Sequence, residues 1–415
     1  MIQDVSLFTS QSVVKFYDNL FSTLDFELPR ADTGRKGYPK EAMVCAFIVM
    51  KCEGFSQITD LADYLENNLI IAHFCGFNIM KSLPSYWTYD RFLRRIENGD
   101  LKEVMAGLVK QLYERGIVDA SFIGLDSTPV MANTAQNNPK SFQKNRFSNE
   151  NHPSSDPDCA LGVHTASNQY NEKNYEFYWG YKSHVLVDCI SGLPLYELTT
   201  PANVMDSTVV EKILKAAAET LPLEECIFLA DKGYDVKAIY NLIRDVYHGE
   251  AVIPLNKRNM KNPKSLPVGN PICEAGLAMN KDGRTKDGHG GIRQKYCCPF
   301  RQSKTSCCPC NHKNWNNGKK NRGCTKYKSI PDDYRMSIDR ECFRFKRLYA
   351  LRSECERYNS RFKGTGQERL WVRNGNSAAN LNTIAHITAL AVALAAVESK
   401  SHHSYRSLKQ LKRIG

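Results

Sequence analysis

The sequence predicts an α/β protein: a mixed sheet with flanking helices, a helical N-terminal domain, and a basic, cysteine-rich insertion before the last helices of the core. Apolar residues recur at helical spacing near the N-terminus, strand-like and helix-like segments alternate after it, and positive charge coincides with clustered cysteines further on. We therefore predict a helical domain at 1–118, the first part of the core at 119–256, the insertion at 257–340, the C-terminal helices of the core at 341–398 and a basic tail at 399–415.

The bulk composition is that of a globular protein. The chain has 415 residues, of which 42% are hydrophobic, which is enough for two or three domains with real cores. The opening MIQDVSLFTSQSVVKFYDNL lacks a signal-peptide pattern. The longest apolar stretch, IAHITALAVALAAV at 384–397, is too short to span a bilayer and is interrupted by His386 and Thr388. We expect a buried helix there, no membrane association, and a cytoplasmic protein.

The N-terminal domain is predicted to be mostly helical. PKEAMVCAFIVMKCEGF (39–55) and SYWTYDRFLRRIENGDLKEVMAGLVKQLYERG (85–116) carry apolar residues at helical spacing. SQITDLADYLENNLIIAHFCGF (56–77) indicates two short helices across a turn. This pair is compatible with a helix-turn-helix that contacts DNA and equally with an ordinary helical bundle.

The core is predicted to start with a buried strand and to continue as strand, hairpin, helix, strand, helix and strand. A polar loop at 133–158 separates the first strand from the hairpin. The predicted strands are SFIGLDSTPV (121–130), YKSHVLVD (181–188), LPLYELTT (193–200), ECIFLADKGYD (225–235) and EAVIPLN (250–256), and the predicted helices are STVVEKILKAAAETL (207–221), capped by Ser207, and VKAIYNLIRDVY (236–247).

Two acidic residues follow apolar strands. Asp126 follows FIGL and Asp231 follows IFLA, and strand ends in α/β sheets are where ligands gather. A carboxylate beside four apolar residues is costly unless it is paired, hydrogen-bonded or bound to a metal. Each residue alone could equally be a turn or cap residue. With Glu356 they would supply three carboxylates from separate elements, a donor set that suits Mg²⁺.

The stretch YALRSECERYNSRFK, which begins at Tyr349, is predicted to be one helix, since it has no Pro or Gly and many good helix formers. At about 100° per residue, Tyr349, Arg352, Glu356 and Lys363 fall on a stripe roughly 60° wide. Glu354 falls on the opposite side. The face is either a solvated charged surface or a functional group of one carboxylate, two cations and a phenol.

Positive charge is concentrated in one segment. Residues 251–330 hold 17 Lys and Arg against 3 Asp and Glu, a net charge of +14, whereas the whole chain carries +12, so the other 335 residues sum to −2. Such a segment suits a polyanion, and nucleic acid is the commonest one. The alternative is a solvated loop.

Seven of the fifteen cysteines lie between 297 and 342, and we expect reduced thiols rather than disulfides. Cys307 and Cys310 have zinc-knuckle spacing, and Cys298 and Cys324 could complete a structural zinc site. Rival ligands are Cys273, Cys297, Cys308 and His312. A thioredoxin-like redox motif is the competing interpretation, but no matching βαβ context surrounds the pair.

The motifs FIGLDST and FLADKGYD, together with the Tyr-x2-Arg-x3-Glu-x6-Lys pattern, resemble the bacterial insertion-sequence DDE transposases, which have an RNase H-like catalytic core. GYKSHVLVDCISGLPLYELTTPANVMDS (180–207) also resembles the second and third strands of one large group of these enzymes. The resemblance covers roughly 119–395 and, more loosely, the helical N-terminus. An insertion between the second Asp and the Glu is common in this group.

The resemblance implies a role for each matching residue. A triad would bind two Mg²⁺ or Mn²⁺ ions, and the remaining signature residues would contact the transposon-end phosphates. The triad is Asp126, Asp231 and Glu356, and the phosphate contacts are Tyr349, Arg352 and Lys363. Tyr234 either stacks on a base or packs internally. Lys182 is a further candidate DNA contact, whereas a structural role is favoured for His184.

The expected function is therefore that of a transposase. It would bind the terminal inverted repeats of its own element in double-stranded DNA, cleave phosphodiesters and join the freed 3′-OH ends to target DNA. Excision in this group commonly passes through a DNA hairpin. A homodimer is expected from the pairing of two ends, and association with the bacterial nucleoid from the substrate. The alternatives are a metal-dependent nuclease or resolvase without strand transfer, and a non-catalytic DNA-binding regulator.

Overall fold

The computed structural model of the protein describes residues 12–29, 37–167, 173–256, 270–286, 288, 292–301, 323–329, 334–401 and 405–414. The described helices are α1 (Ser12–Ser22), α2 (Lys40–Glu53), α3 (Ile58–Asn67), α4 (Leu69–Phe74), α5 (Tyr86–Arg95), α6 (Asn98–Glu114), α7 (Val210–Ala218), α8 (Lys237–Asp245), α9 (Phe343–Ala350), α10 (Ser353–Phe362), α11 (Gly375–Glu398) and α12 (Leu408–Ile414). The described strands are β1 (Phe122–Met131), β2 (Ala160–Ser167), β3 (Lys173–Asp188), β4 (Pro194–Pro201), β5 (Ile227–Ala230), β6 (Glu250–Val252), β7 (Asn280–Lys286), β8 (Ile292–Cys297) and β9 (Thr325–Ser329).

These elements belong to two compact units. The first unit takes its described residues from 1–226 and 352–415, and the second from 227–351. The first therefore joins the helical N-terminus to β1–β4 and α10–α12. The second contains β5–β9, α8 and α9.

The N-terminal helices form where the apolar periodicity predicts them. In α2, eleven of fourteen residues are buried, and the helix ends at Gly54, whose φ of +72° is the left-handed value that glycine adopts readily. Between α3 and α4, however, lies only Asn68, and α4 has six residues. A helix-turn-helix needs a turn of three to four residues and a second helix that reaches into a groove. The helix-turn-helix interpretation of 56–77 is therefore wrong, and α3 and α4 are bundle helices.

The sheet of the first unit is built around the long strand β3. This strand pairs antiparallel with β1 along one edge, and with β2 and then β4 along the other. The predicted hairpin is confirmed as the C-terminal half of β3 and β4. The ribbon of β2 and the first half of β3 was not predicted, because it exposes apolar residues such as Val163, Tyr175 and Phe177. Without one buried face, the ribbon lacks the alternation that marks a strand.

Asp126 lies inside a strand and not at its end. Its partner in the register is Val185, and the β1–β3 ladder continues to Met131 opposite Gly180. The sequence STP after Asp126 suggested a turn, but pairing with β3 holds these residues extended.

The predicted cap of α7 is also wrong. The helix begins at Val210 after a 3₁₀ turn, so Ser207 does not cap that helix.

The core helix of the first unit is α11. It packs against α2, α5, α6 and β4. Of the described helices, α11 is the one that is by itself long and apolar enough to cross a membrane, yet 89% of its most apolar window is buried inside the protein. The predicted buried helix at 384–397 is thus confirmed as part of a core helix.

Polar side chains on α11 fix the neighbouring elements. Asn380 donates to the carbonyls of Leu93 at 2.8 Å and Ile96 at 2.9 Å, and Asn376 donates to the carbonyl of Arg94 at 2.9 Å. The last carbonyls of a helix have no partner within the helix. These two amides therefore cap the C-terminal end of α5 and tie it to the core.

A second polar group lies deeper in the core. Thr383 donates to Glu197 at 2.5 Å, Asn382 donates to Thr199 at 3.0 Å, and Gln367 donates to Asn382 at 2.8 Å. Burial raises the pKa of Glu197. The hydrogen bonds satisfy groups whose burial would otherwise be costly.

The second unit combines a parallel strand pair with a separate antiparallel sheet. Ile227 of β5 lies opposite Glu250 of β6, and β6 ends at Val252, so the predicted strand at 250–256 is shorter than expected. Strands β7, β8 and β9 form a three-stranded antiparallel sheet in that order. Arg340 is buried and donates to the carbonyl of Ile253 at 2.9 Å and to the hydroxyl of Tyr240 at 3.0 Å.

His386 of α11 holds α10 in place. One ring nitrogen lies 2.6 Å from the hydroxyl of Tyr358 and the other lies 3.1 Å from the hydroxyl of Ser183. The imidazole also stacks on Phe362, with 4.6 Å between ring centroids. Burial, aided by the charge of Lys102, lowers the pKa of His386 to about 3.

This buried imidazole should make stability depend on pH. The unfolded chain binds a proton at His386 below about pH 6.5, and the folded chain binds it only near the lowered pKa, so stability falls by about 1.4 kcal/mol per pH unit within this window. Replacing His386 by Asn should therefore reduce the stability lost between pH 6 and pH 5 by about 1 kcal/mol, measured by urea unfolding. The exposed His164 provides the control, H164N, which should lose as much stability as the wild type. An unchanged pH dependence in H386N would contradict this role.

Candidate active site

Asp126 and Glu356 meet at one guanidinium. Arg352 places Nη2 at 3.4 Å from Oδ1 of Asp126 and Nη1 at 2.6 Å from Oε1 of Glu356. The side chains of Asp126 and Arg352 are 18% and 13% exposed, whereas that of Glu356 is 63% exposed. The fold thus brings two of the predicted catalytic carboxylates, from β1 and α10, to a shared cation at the surface of the first unit.

Asn359 holds the other oxygen of Asp126. Its Nδ2 donates to Oδ2 of Asp126 at 3.1 Å, and Asn359 is buried with 9% exposure. The carboxylate of Asp126 therefore has one oxygen on a guanidinium and one on an amide, which fixes its orientation. The sequence reasoning missed Asn359, although its position one turn after Glu356 places it beside that residue on a helix.

The packing of α10 explains why Glu356 faces outward. The opposite side of this helix buries Cys355, Tyr358 and Phe362. Tyr358 and Phe362 are the residues that contact His386 on α11. Since that side is held by the core, Glu356 remains open to solvent.

The predicted single helix from Tyr349 to Lys363 is wrong. One helix, α9, ends at Ala350, Leu351 and Arg352 form a turn, and α10 ends at Phe362. In the turn, the Leu351 amide bonds to the carbonyl of Leu348 at 3.0 Å, three residues back instead of four. Leu351 and Arg352 keep helical dihedral angles, so the break needs no Pro or Gly and leaves no trace in the composition.

The four signature residues are consequently carried by different segments. Tyr349 lies in the second unit and stacks on Phe345, with 6.2 Å between ring centroids. Arg352 and Glu356 lie in the first unit. Lys363 opens a π-helical segment, Lys363–Gln367, and is half-buried. The four side chains are therefore not held in a fixed arrangement by one continuous helix.

Glu354 lies on the other side of α10, as predicted, but it is not solvated. The residue is buried, its carboxylate pairs with Arg357, and Oε2 lies 3.5 Å from Nη1 of Arg406. A buried carboxylate with cationic partners is structural. Its removal would disturb the packing of α10, so a Glu354 variant is unsuitable as a neutral control for Glu356.

Asp231 belongs to the second unit and directly follows β5, as predicted. Its Oδ1 accepts a hydrogen bond from the Gly233 amide at 2.7 Å, which caps a 3₁₀ turn over Lys232–Tyr234. Its side chain remains half-exposed. Tyr234 is 1% exposed, which favours the packing role over base stacking.

Lys182 and His184 are engaged within the first unit. Nζ of Lys182 lies 3.0 Å from both the Val204 carbonyl and Oδ1 of Asp206. His184 is buried and lies 2.9 Å from the hydroxyl of Thr200, and burial lowers its pKa to about 4. This geometry favours structural roles for both residues and weakens the prediction that Lys182 contacts DNA.

Within the part of the chain that the structure describes, no three His, Cys, Asp or Glu side chains form a metal-binding group. Hard carboxylate oxygens at the guanidinium of Arg352 are the donor type that Mg²⁺ and Mn²⁺ prefer, so Asp126 and Glu356 fit such ions chemically.

The proposed zinc ligands are described in part. The amide of Cys298 donates to the carbonyl of Cys324 at 3.0 Å, and Cys324 packs against the buried cluster of Cys273, Met279 and Tyr296. The backbones of two predicted zinc ligands, Cys298 and Cys324, are therefore adjacent. The other two predicted ligands, Cys307 and Cys310, lie outside the described residues, as do the rivals Cys308 and His312.

A basic, aromatic face lies on α5. The helix buries Tyr89, Asp90 and Leu93 against the core. Its outer side, which we call the α5 basic face, consists of Trp87, Arg91, Arg94 and Arg95. Trp87 is 68% exposed, although large apolar side chains are usually buried. The spacing of four residues between Trp87, Arg91 and Arg95 is the signal in the sequence that indicates this face.

Comparisons with known proteins identify the family. The family model described as Transposase DDE domain matches residues 110–391, and the model described as Transposase domain (DUF772) matches residues 6–95. No curated protein matches the chain.

Two solved structures show distant similarity. The cryo-EM structure of the piggyBac transposase synaptic complex with hairpin DNA covers 97% of this chain and 75% of that chain, with 13% identity and a TM-score of 0.41. The Mos1 transposase paired-end complex with the left transposon end covers 56% of this chain and 63% of that chain, with 13% identity and a TM-score of 0.18. TM-scores this low carry no further argument.

The resemblance to DDE transposases is thereby confirmed for the family, while the Tyr-Arg-Glu-Lys signature remains a prediction. The matching family model spans more than half of the chain and includes Asp126, Arg352 and Glu356. This protein belongs to the DDE transposase family.

Proposed function

We propose that this transposase binds the terminal inverted repeats of its own element, cleaves phosphodiester bonds at the element ends and joins the resulting 3′-OH ends to target DNA. The observation that carries this proposal is the convergence of Asp126 and Glu356 on Arg352 within the matched transposase domain. Two carboxylates far apart in sequence meet at a solvent-facing site, as phosphoryl transfer requires.

Asp126, Glu356 and Asp231 would hold the divalent ions, Mg²⁺ or Mn²⁺. Two such ions supply charge stabilisation to the attacking and leaving oxygens of an in-line displacement. Two neighbouring side chains hold the carboxylates of Asp126 and Glu356 in position. Asn359 orients Asp126, and Arg352 offsets the repulsion between Asp126 and Glu356.

Arg352 and Lys363 would also contact the phosphates next to the cleaved bond. A guanidinium binds phosphate in the same bidentate way that it binds carboxylate, and an ammonium acts as a point charge. The hydroxyl of Tyr349 would donate a hydrogen bond to the same DNA backbone. These assignments rest on the family signature and on the position of Arg352 between the two acids.

The α5 basic face would bind the DNA end. Its helix is capped by Asn376 and Asn380 of α11, so the face is held rigidly on the core of the unit that carries Asp126. Arginines supply phosphate contacts, and an exposed indole offers a flat surface to sugars or bases. This face complements the charge of the 251–330 segment, whose cations at Lys257, Arg258, Lys313, Lys319 and Lys320 lie outside the described residues.

Three further assignments accompany this function. Pairing of two element ends calls for a homodimer in the synaptic complex. A substrate in the bacterial chromosome calls for a cytoplasmic, nucleoid-associated protein. A structural zinc ion held by Cys298, Cys307, Cys310 and Cys324 would stabilise the insertion, because thiolates select zinc while carboxylates select magnesium.

Replacing Asp126, Asp231 or Glu356 by Ala should reduce cleavage of a labelled transposon-end duplex on the order of 100-fold or more and leave end binding intact, because these residues hold metal and not DNA. The control S360A changes an exposed residue four positions after Glu356 on α10 and should cut normally. An assay with pre-cut 3′-OH ends distinguishes the two enzyme classes: a transposase joins these ends to target DNA, and a nuclease does not. Wild-type cleavage by E356A would rule out the proposed site.

The α5 basic face generates a separate prediction. R91A and R95A should each flatten the slope of log K against log salt by about 0.9 for terminal-repeat DNA, and W87A should weaken binding with little change of slope. Fluorescence anisotropy over a salt series measures both quantities. K110A removes another exposed cation of the first unit and should leave binding unchanged. Equal effects of R91A, R95A and K110A would show that α5 has no special role, without bearing on the catalytic site.

A further inference from the structure

A cavity of about 530 Å³ lies behind α10 in the first unit. Its walls come from the C-terminal end of α2, from α10, from α11 and from the segment 405–412. The size is within the range of small-molecule sites. No part of the proposed DNA chemistry uses this cavity, although Tyr358 and Phe362 of its wall lie on the helix that carries Glu356.

Lys51 lines the cavity and is buried in an unusual way. The residue is 1% exposed, and its Nζ donates to Oε1 of Gln367 at 2.7 Å. An ammonium has three N–H donors, and within the described part of the chain Lys51 uses one of them and forms no ion pair. A buried ammonium without a counter-ion is unfavourable, and burial lowers the pKa of Lys51 to about 7.

The other charged groups at the cavity are mostly cationic. Arg361, Arg406, Lys409 and Lys412 line it, and Glu53 is the one acidic residue in the described lining. Glu53 is already engaged, since Oε1 lies 2.8 Å from Nζ of Lys412 and accepts a hydrogen bond from Tyr64 at 3.3 Å. The potential in the cavity therefore favours an anion.

Part of the remaining wall is apolar. Leu193, Phe362, Ala385, Ala389 and Val392 face the cavity. An occupant must accordingly present an apolar body together with its negative charge. A single carboxylate matches the charge of the one buried ammonium, Lys51.

We propose that this cavity is a binding site for a small amphipathic carboxylate of the medium-chain fatty-acid type, with its carboxylate on Lys51 and its chain along α11. The site is independent of the proposed DNA cleavage and would exist whether or not the catalytic assignment holds. A bound ligand would touch the back of α10 through Phe362.

Isothermal titration calorimetry with decanoate and decanol tests the proposal on the full-length protein. Decanoate should bind with a stoichiometry of one, and decanol, which has the same chain without the charge, should bind about tenfold more weakly or worse. K51M keeps the side-chain volume and should lose the preference for decanoate. A389W keeps Lys51 but fills the cavity, and should bind neither compound. K110M, an exposed lysine elsewhere, should behave as the wild type.

A second measurement needs no variant. Titration of the wild type in buffers of different ionisation enthalpy at pH 8 should show uptake of close to one proton per decanoate, because the carboxylate restores the charge of Lys51. The other charged groups that line the cavity are Glu53, Arg361, Arg406, Lys409 and Lys412. At pH 6 the uptake should nearly vanish. Equal affinities for decanoate and decanol, no binding, or the same proton uptake at both pH values would each overturn the proposal.

Discussion

The buried helix α11 positions α5, α10 and Gln367 within the first unit. Its apolar residues place it in the core, and several of its polar side chains form hydrogen bonds to neighbouring elements. Through Asn376 and Asn380 it caps α5, and through His386 it holds α10. Gln367, which binds Lys51, is held by Asn382. The orientation of α10, the position of the α5 basic face and the burial of Lys51 therefore all depend on α11.

The charge of Arg352 is a second constraint on the proposed catalytic site. Two carboxylates brought together repel each other, and in the structure one guanidinium lies between them. A hydrogen bond from Asn359 fixes the remaining oxygen of Asp126. The guanidinium thereby offsets the mutual repulsion of the two carboxylates and holds them at one place on the surface of the first unit.

Much of this organisation could be predicted from sequence because it depends on local patterns. The helices of the N-terminal domain, the β3–β4 hairpin and the buried C-terminal helix follow from periodicity, and Asp126, Arg352 and Glu356 follow from the resemblance. The break before α10 could not be predicted, because Leu351 and Arg352 keep helical dihedral angles. The burial of Glu354 depends on Arg406 and the position of Asp126 inside β1 depends on β3, and neither contact is local. The burial of Lys51 likewise depends on Gln367, which lies more than 300 residues away in the chain.

Iron-mediated cleavage of the protein backbone tests the central claim most directly. Fe²⁺ takes carboxylate sites that bind Mg²⁺ and, with ascorbate and peroxide, cuts the chain next to the ion. If Asp126, Asp231 and Glu356 form one metal site, fragments should map to cuts beside these three residues, and excess Mg²⁺ should suppress all of them together. Cuts confined to other regions, such as the cysteine-rich insertion, or cuts at Asp126 and Glu356 that Mg²⁺ does not suppress, would contradict the account.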